Sequence, residues 1–313
     1  MRKLLCIGGA TASGKTALAV ECAKRLNGEV VSADALLVYR GLNIGTAKPT
    51  KEEMGGIPHH LIDVCEPTAT FSVSDYEELA IKAVEDILSR GKVPVLCGGT
   101  GFYMNAVLYQ SSFGNVSADE GIRKKYEEIA AREGREALHE RLKAVDPESA
   151  EKLHYNDVKR VIRALEIFEL TGRKKSEQCD GDTPRYPFVA AAFNYPREEL
   201  YRRIDLRVDA MMEAGLIKEV EGLLNSGVPE NAQCMQGIGY KEVVESIKSG
   251  GNLGTMSDII KKNTRNYAKR QLTFFKRMKN LHWLAPQEIG AAAREVVELY
   301  ERELIDCQTG SAA

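Results

Sequence analysis

The chain has 313 residues, of which 43% are hydrophobic and 28% charged, with a formal net charge of −2 at pH 7. This composition is ordinary for a globular protein, and the length predicts one large domain or one domain with an insertion. The near-neutral charge excludes a global field that recruits nucleic acid, so any RNA-binding surface would have to be a local patch.

A glycine-bounded loop follows the first apolar run, 4–7, and precedes a helix-compatible stretch over 17–26. The loop matches G-x-x-x-x-G-K-[ST], the phosphate-binding P-loop, and the motif requires this strand–loop–helix context. Loop N–H groups and the helix N-terminus bind phosphate oxygens, Lys15 supplies a positive charge, and the Thr16 hydroxyl can ligate Mg²⁺. The predicted diphosphate-binding residues are Gly9, Ala10, Thr11, Ala12, Ser13, Gly14, Lys15 and Thr16.

Two further strands are predicted at 29–32 and 93–97, with a helix over 75–89 between them, which indicates a parallel sheet. Ligands of such sheets lie at the carboxyl ends of the strands. Asp34 stands at one of these ends, either as a metal ligand or general base or as a helix cap or loop carboxylate. At the other end, the glycines of 98–101 favour either a close approach to a ligand or a tight turn.

The segment 117–187 changes in character, because it contains no convincing strand and is rich in charged residues and helix formers. Its clearest helix, 157–170, has a regular apolar face. A core strand follows at 188–193. The predicted fold class is therefore α/β, with a P-loop NTPase-like parallel sheet core over 1–116 and 188–313 and a mostly helical insertion domain over 117–187.

The rest of the chain is predicted to be mostly helical, at 197–226, 239–249, 255–280 and 288–305, with a short strand at 281–284. Arg203 and Arg207 share a helix face and either clamp phosphate oxygens or pair with Asp205 and Asp209. The segment 261–279 is a basic, aromatic-containing run without acidic residues, which favours equally a nucleic-acid surface and a solvated helix face.

Taken in order, these segments resemble the tRNA dimethylallyltransferase, or tRNA isopentenyltransferase, family nearly as far as Trp283. The resemblance rests on the P-loop and on Ser-Ala-Asp at 32–34. It also rests on the motifs at 38–50, 58–63, 98–101, 160–166, 238–242 and 267–273.

The resemblance implies transfer of a dimethylallyl group from dimethylallyl diphosphate to N6 of the adenosine 3′ of a tRNA anticodon, with release of pyrophosphate. By the family pattern, Asp34 accepts the N6 proton, Thr100 orients the reacting groups, and Arg207 and Mg²⁺ stabilise the leaving group. The anticodon stem-loop would be held by Ala35, Leu36, Leu37, Arg123, Lys159, Arg160, Arg163, Arg265 and Lys269.

The chain departs from the family pattern beside Asp34. Family members usually have Asp-Ser-x-Gln, whereas this chain has Asp-Ala-Leu-Leu at 34–37. Since Leu37 has no polar side-chain group, we expect adenine recognition to be weaker, altered or carried by backbone. Asn43 for Asp, Ala10 for Pro and Phe274 for Trp are further departures, of which the last two are conservative.

Three alternatives remain open from the sequence: prenyl transfer to a free adenine nucleotide, a small-molecule P-loop kinase, and a tRNA-binding protein that has lost catalysis. We further expect a cytoplasmic monomer with no membrane segment. The seven cysteines form no C-x-x-C pair, which is typical of buried thiols in a reducing compartment.

Overall fold

The computed structural model describes residues 3–110, 119–177, 183–250 and 253–309. Within these residues a six-stranded sheet has the order β3-β2-β4-β1-β5-β6, and each neighbouring pair is parallel. The strands are β1 (Leu4–Gly8), β2 (Gly28–Ala33), β3 (His59–His60), β4 (Val93–Gly98), β5 (Phe188–Phe193) and β6 (Leu281–Leu284). The predicted P-loop-type α/β fold is confirmed, although the two-residue strand β3 was not predicted.

Helices connect and flank these strands. They are α1 (Lys15–Leu26), α2 (Lys51–Met54), α3 (Val73–Ser89), α4 (Gly101–Leu108), α5 (Glu120–Glu133), α6 (Arg135–Val145), α7 (Pro147–Lys152), α8 (Val158–Thr171), α9 (Arg197–Glu213), α10 (Leu216–Asn225), α11 (Tyr240–Ser249), α12 (Leu253–Phe275) and α13 (Ile289–Thr309). The single helix predicted over 197–226 is two helices, because Gly215 has a φ of +98° and interrupts the helical conformation. None of the described helices is both long and apolar enough to span a membrane.

The core explains why the central strands are almost wholly apolar. Alternate residues of β1, such as Leu5 and Ile7, lie in one buried cluster with Leu18 of α1 and Val296 of α13. Side chains alternate between the two faces of a strand, so this period of two assigns one face of β1 to these two helices. Full burial of each such side chain contributes about 1.5–3 kcal/mol.

The chain divides into two compact units, of which one comprises Met1–Leu108 and Arg185–Ala313 and the other Tyr109–Pro184. The two ends of the second unit pair with each other, since Tyr109 and Pro184 form an antiparallel bridge. The insertion domain over 117–187 stays a prediction. The predicted starting residue, 117, lies outside the described residues.

The second unit has a hydrophobic core of its own, built from α5 to α8 around Leu138, Leu142 and Leu165. A buried carboxylate, Glu166, accepts hydrogen bonds from the Asp119 backbone N–H (2.8 Å) and from Arg123 Nε (2.9 Å). These bonds hold α5 against α8 from within the unit.

Candidate functional site

The functional candidates of the first unit meet at the carboxyl edge of the sheet. The P-loop follows β1, Asp34 follows β2, and Thr100 follows β4. Together with Arg207 of α9, they line one cavity of about 400 Å³. The structure therefore brings together the three residues predicted as catalytic and the lysine of the predicted phosphate site.

The P-loop places a buried hydroxyl and a lysine beside the amino end of α1. Gly9 and Gly14 adopt positive φ angles of 138° and 86°, which turn the loop around the amino end of α1. Ser13 Oγ is buried and has no hydrogen-bond partner in the described part of the chain. Lys15 Nζ lies 3.4 Å from the Ala10 carbonyl oxygen, and burial lowers the pKa of Lys15. A cation and an orphaned hydroxyl at a helix N-terminus form a site suited to an anion.

Arg207 lies across the cavity with a guanidinium that is only partly satisfied. Its Nη2 donates to the Thr46 carbonyl oxygen (3.2 Å), whereas Nε is buried without a partner among the described residues. Burial lowers the pKa of Arg207, and the nearby Asp34 carboxylate opposes that shift. A guanidinium beside a cavity, with part of its hydrogen-bonding capacity unused, is suited to an anion.

Arg203, which shares a face with Arg207, braces the P-loop. Its Nε donates to the Ala12 carbonyl oxygen (2.9 Å), and its guanidinium lies over the Tyr195 ring. The alternative in which the α9 aspartates pair with these arginines is wrong. Asp205 and Asp209 pair with Arg265 (2.5 Å) and Lys261 (2.6 Å) of α12 instead.

Asp34 has a structural contact and also lines the cavity, and its role as a metal ligand or general base stays a prediction. Its Oδ1 accepts the backbone N–H groups of Leu36 (2.9 Å) and Leu37 (3.4 Å) and so fixes the turn after β2. The same side chain lines the cavity. Thr100 Oγ1 accepts the Ala35 N–H (3.1 Å), which ties this turn to the loop after β4. Ala35 and Leu36 also line the cavity, whereas Leu37 does not line it in the described part of the chain.

The glycines at 98–101 lie where neighbouring residues leave no room for a side chain. A Cβ at Gly98 would lie 2.1 Å from the Ala33 carbonyl oxygen, and one at Gly99 would lie 2.2 Å from Gln271 Nε2. A Cβ at Gly101 would lie 2.6 Å from the Phe274 ring. Atoms of β2 and α12 already occupy the space that side chains at these residues would fill.

Sequence reasoning missed several residues of α12 that line the cavity, namely Tyr267, Arg270 and Gln271. The motif at 267–273 contained all three but gave no reason to place them beside Asp34. Burial raises the pKa of the Tyr267 hydroxyl, and the Asp34 carboxylate adds to that shift. The basic run thus contributes to the cavity as well as to the surface.

A second omission was Glu219 of α10. Its carboxylate accepts three successive backbone N–H groups, those of residues 43–45, at 2.9, 2.7 and 3.1 Å. The Tyr240 hydroxyl donates to the same carboxylate at 2.6 Å. Because Thr46 follows directly and accepts from Arg207, Glu219 anchors the segment that supports this arginine. No signal in a single sequence marks such a backbone contact.

The predicted tRNA-binding cations are mostly engaged within the protein. Arg265 pairs with Asp205 on α9, and Lys269 Nζ lies 3.5 Å from Asn266 Oδ1. The basic run over 261–279 thus has acidic counter-charges, but they come from a neighbouring helix rather than from the run itself. Whether this surface binds tRNA stays a prediction.

In the second unit, the four predicted cations differ in how they are held. Arg123 and Arg163 both pair with buried Glu166. Arg160 pairs with Asp157 at 3.2 Å and is 63% exposed, while Lys159 is exposed. The last two are therefore the more accessible to a phosphate backbone.

The donor set fits a Mg²⁺ ion that is held largely by phosphate. No group of three or more His, Cys, Asp or Glu residues able to hold a metal occurs in the described residues. Mg²⁺ is commonly bound by one or two protein oxygens plus substrate phosphates. Thr16 stands in the first turn of α1, next to Lys15, and its hydroxyl is the predicted protein ligand of the ion.

A P-loop motif at the carboxyl edge of a parallel sheet lies with a carboxylate and an arginine around one cavity, which defines a P-loop-like α/β protein with a candidate phosphate site. Comparison with known proteins narrows this class. The family model for IPP transferase matches residues 37–278. The tRNA dimethylallyltransferase of Acetivibrio thermocellus is 44% identical over 96% of this chain and 96% of its own length.

The same family name belongs to a relative from Halalkalibacterium halodurans, 46% identical over 90% of each chain. Among solved structures, a full-length tRNA isopentenylpyrophosphate transferase from Bacillus halodurans matches with a TM-score of 0.76, 41% identity and complete coverage of both chains. A eukaryotic dimethylallyltransferase acting on tRNA matches 95% of this chain and 78% of its own, with a TM-score of 0.80 and 29% identity. The chain belongs to the tRNA dimethylallyltransferase family of transferases.

Proposed function

We propose that this protein transfers a dimethylallyl group from dimethylallyl diphosphate to N6 of the adenosine next to the anticodon in tRNA. Membership of the family supports this activity. The observation that carries it is the shared cavity, where Lys15 and Arg207 can hold a diphosphate beside the Asp34 carboxylate. The diphosphate in the P-loop is then a leaving group, so the reaction needs no ATP.

The chemistry follows from the charges around the cavity. The allylic C–O bond breaks and its electron pair leaves with pyrophosphate, where the loop N–H groups, Lys15 and Arg207 stabilise the growing negative charge. The adenosine N6 forms the new bond to the allyl carbon, and its proton passes to the Asp34 carboxylate. Thr100 holds the turn that carries Asp34 through the Ala35 N–H.

A bound Mg²⁺ held by the Thr16 hydroxyl and by phosphate oxygens would supply additional positive charge to the leaving group. Two buried polar atoms near the proposed diphosphate site, Ser13 Oγ of the P-loop and Arg207 Nε, have no hydrogen-bond partner among the described residues. Buried polar groups are usually hydrogen-bonded, so these two atoms support a polar ligand near the P-loop and Arg207.

The partner we propose is the anticodon stem-loop of tRNA. An adenosine must leave its stack to reach Asp34, which costs a few kcal/mol and least in a loop. Ala35 and Leu36 line the cavity with apolar side chains and backbone, which supports recognition of adenine by shape and main chain. The exposed cations Lys159 and Arg160 and the basic surface of α12 are the proposed phosphate contacts.

The test is incubation of the protein with labelled dimethylallyl diphosphate, Mg²⁺ and unmodified tRNA that carries adenosine at this position. We expect label in tRNA and stoichiometric pyrophosphate. Label in AMP would indicate a nucleotide prenyltransferase, and tRNA binding without product would indicate a binding protein that has lost catalysis. Phosphoryl transfer from ATP without either product would indicate a kinase.

A further inference from the structure

We propose that Gln271 is a positioning residue for this reaction, which sets the distance between the diphosphate and the acceptor amine. The inference rests on the function proposed above. Gln271 belongs to α12 and is 5% exposed. It lies between the P-loop and the loop after β4, so its side-chain amide can act on both sides of the cavity.

Both ends of the amide are bound. Gln271 Oε1 accepts the Thr11 N–H of the P-loop at 2.8 Å, and Nε2 donates to the Gly99 carbonyl oxygen at 2.9 Å. The two bonds require opposite chemistry, an acceptor at one end and a donor at the other. The amide therefore has one orientation, and few other side chains of this length satisfy both loops.

The absence of a side chain at residue 99 fits this close contact. A Cβ on Gly99 would lie 2.2 Å from Gln271 Nε2, so the backbone approaches the amide as closely as glycine allows. Beyond Gly99, Thr100 holds the Ala35 N–H, and Ala35 follows Asp34. A short path of covalent and hydrogen bonds thus runs from the P-loop, through Gln271, to the proposed base.

This path matters because the reaction joins two substrates held on different loops. The Thr11 N–H is hydrogen-bonded to Gln271. In our proposal the Gln271 side chain therefore acts as a spacer between the P-loop and the loop after β4. A displacement of about 1 Å between reacting atoms can cost about 10²-fold in rate. With the spacer removed, we expect both substrates to bind while the amine no longer faces the allyl carbon.

Misalignment has a chemical signature. If the allylic C–O bond breaks without the amine in place, a water oxygen bonds to the carbon and loses a proton. The products are dimethylallyl alcohol and pyrophosphate in place of modified tRNA. The share of diphosphate consumed as alcohol therefore reports on positioning, and a simple loss of folded protein leaves that share unchanged.

The experiment compares the wild-type protein with Gln271→Met, which keeps length and removes both hydrogen bonds. The rate of product formation is divided by the concentration of active sites, which is measured from the product formed in a single turnover. We expect kcat for transfer to fall about 10²-fold with KM for tRNA changed less than about twofold, and the alcohol share to rise. Gln287→Met is the matched control, because exposed Gln287 hydrogen-bonds to Glu295 and should leave both values unchanged.

A second variant, Gln271→Glu, separates positioning from packing. The Glu carboxylate can still accept the hydrogen bond from the Thr11 N–H. When ionised, it has no proton to donate to the Gly99 carbonyl oxygen. Protonation restores a donor, so kcat of this variant relative to wild type should rise as the pH falls. Unchanged kcat in Gln271→Met, or an unchanged alcohol share together with a flat relative pH profile in Gln271→Glu, would overturn the inference. Wild-type protein that transfers nothing would instead refute the proposed function.

Discussion

At the scale of single residues, the Asp34 side chain has a structural contact as well as a proposed chemical role. Its Oδ1 accepts from Leu36 and Leu37, and the carboxylate also faces the cavity. An alanine variant would disturb both functions. Asparagine keeps an oxygen for the turn and removes the ability to take a proton, so it isolates the chemical role.

We therefore expect Asp34→Asn to lower kcat about 10²-fold or more, since general base catalysis contributes on that scale. The dissociation constant for tRNA should change less than about twofold. Single-turnover kinetics and a filter-binding titration measure the two quantities. Asp86→Asn, an exposed carboxylate change on α3, is the control. A large loss of tRNA affinity with a normal single-turnover rate would contradict the role of Asp34 as base.

The second residue-scale prediction concerns Lys15, whose pKa burial lowers from the ordinary lysine value. Its charge is therefore lost at a lower pH than that of an exposed lysine. Pyrophosphate affinity should weaken more between about pH 7 and pH 10 in wild type than in Lys15→Arg, which stays charged.

Calorimetric titration of pyrophosphate at several pH values measures this difference. Ionisation of pyrophosphate itself is common to both proteins, so the gap between the two profiles reports on Lys15. Parallel profiles would show that Lys15 remains charged throughout or does not contact the anion.

At the scale of elements, loops that lie far apart in sequence are held together by single side chains. Glu219 of α10 binds the backbone of residues 43–45, and a Cβ on Gly45 would lie 2.6 Å from the Tyr240 ring. The segment can approach α10 and α11 this closely because residue 45 is glycine. Its next residue, Thr46, then supports Arg207.

We expect Glu219→Gln to lower the free energy of unfolding by about 2 kcal/mol, because hydrogen bonds to a charged group contribute about 1.5–3 kcal/mol. The side-chain NH₂ of the new glutamine would also face the backbone N–H groups of residues 43–45, which are donors and cannot accept a hydrogen bond from it. Since Thr46 would no longer be fixed, kcat should fall about 10-fold.

Urea unfolding and steady-state kinetics provide the two measurements. Glu221→Gln, an exposed change on the same helix, should leave both unchanged. Loss of stability without any change in kcat would mean that Arg207 does not depend on this segment.

At the scale of the whole molecule, the second unit combines a folded core with a proposed tRNA surface. Its predicted tRNA-binding cations are of two kinds. Arg163 pairs with the buried carboxylate of Glu166, whereas Lys159 and Arg160 are exposed to solvent. Removing a partner of a buried charge is destabilising, while removing an exposed phosphate contact weakens binding and its dependence on salt.

Lys159→Ala and Arg160→Ala should each weaken tRNA binding and reduce the slope of log affinity against log salt by about 1, with the melting temperature unchanged. Arg163→Ala should lower the melting temperature. Fluorescence titration over a range of salt and thermal unfolding give both readouts. Lys152→Ala, an exposed cation outside the predicted contacts, is the control. Equal salt slopes in all four variants would exclude this surface from tRNA binding.

The sequence predicted the residues that follow the strands better than it predicted the contacts of α12 with the site. The P-loop, Asp34 and Thr100 follow strands of a parallel sheet, and that topology alone places them at one edge. The glycines of 98–101 were harder to interpret, because α12, which comes about 170 residues later in the chain, fills the space beside them. A local pattern does not contain that neighbour.

By itself, the sequence determined the parallel α/β fold, the phosphate loop and the family, because these depend on local periodicity and on motifs in a fixed order. Only the tertiary structure decided which charges meet. Asp205 and Asp209 form ion pairs with the basic run of α12 rather than with the arginines of their own helix. Glu219 and Gln271 form hydrogen bonds to loops that are distant in the sequence. Such contacts arise from the packing of helices on the sheet, where a partner's distance in space is independent of its distance along the chain.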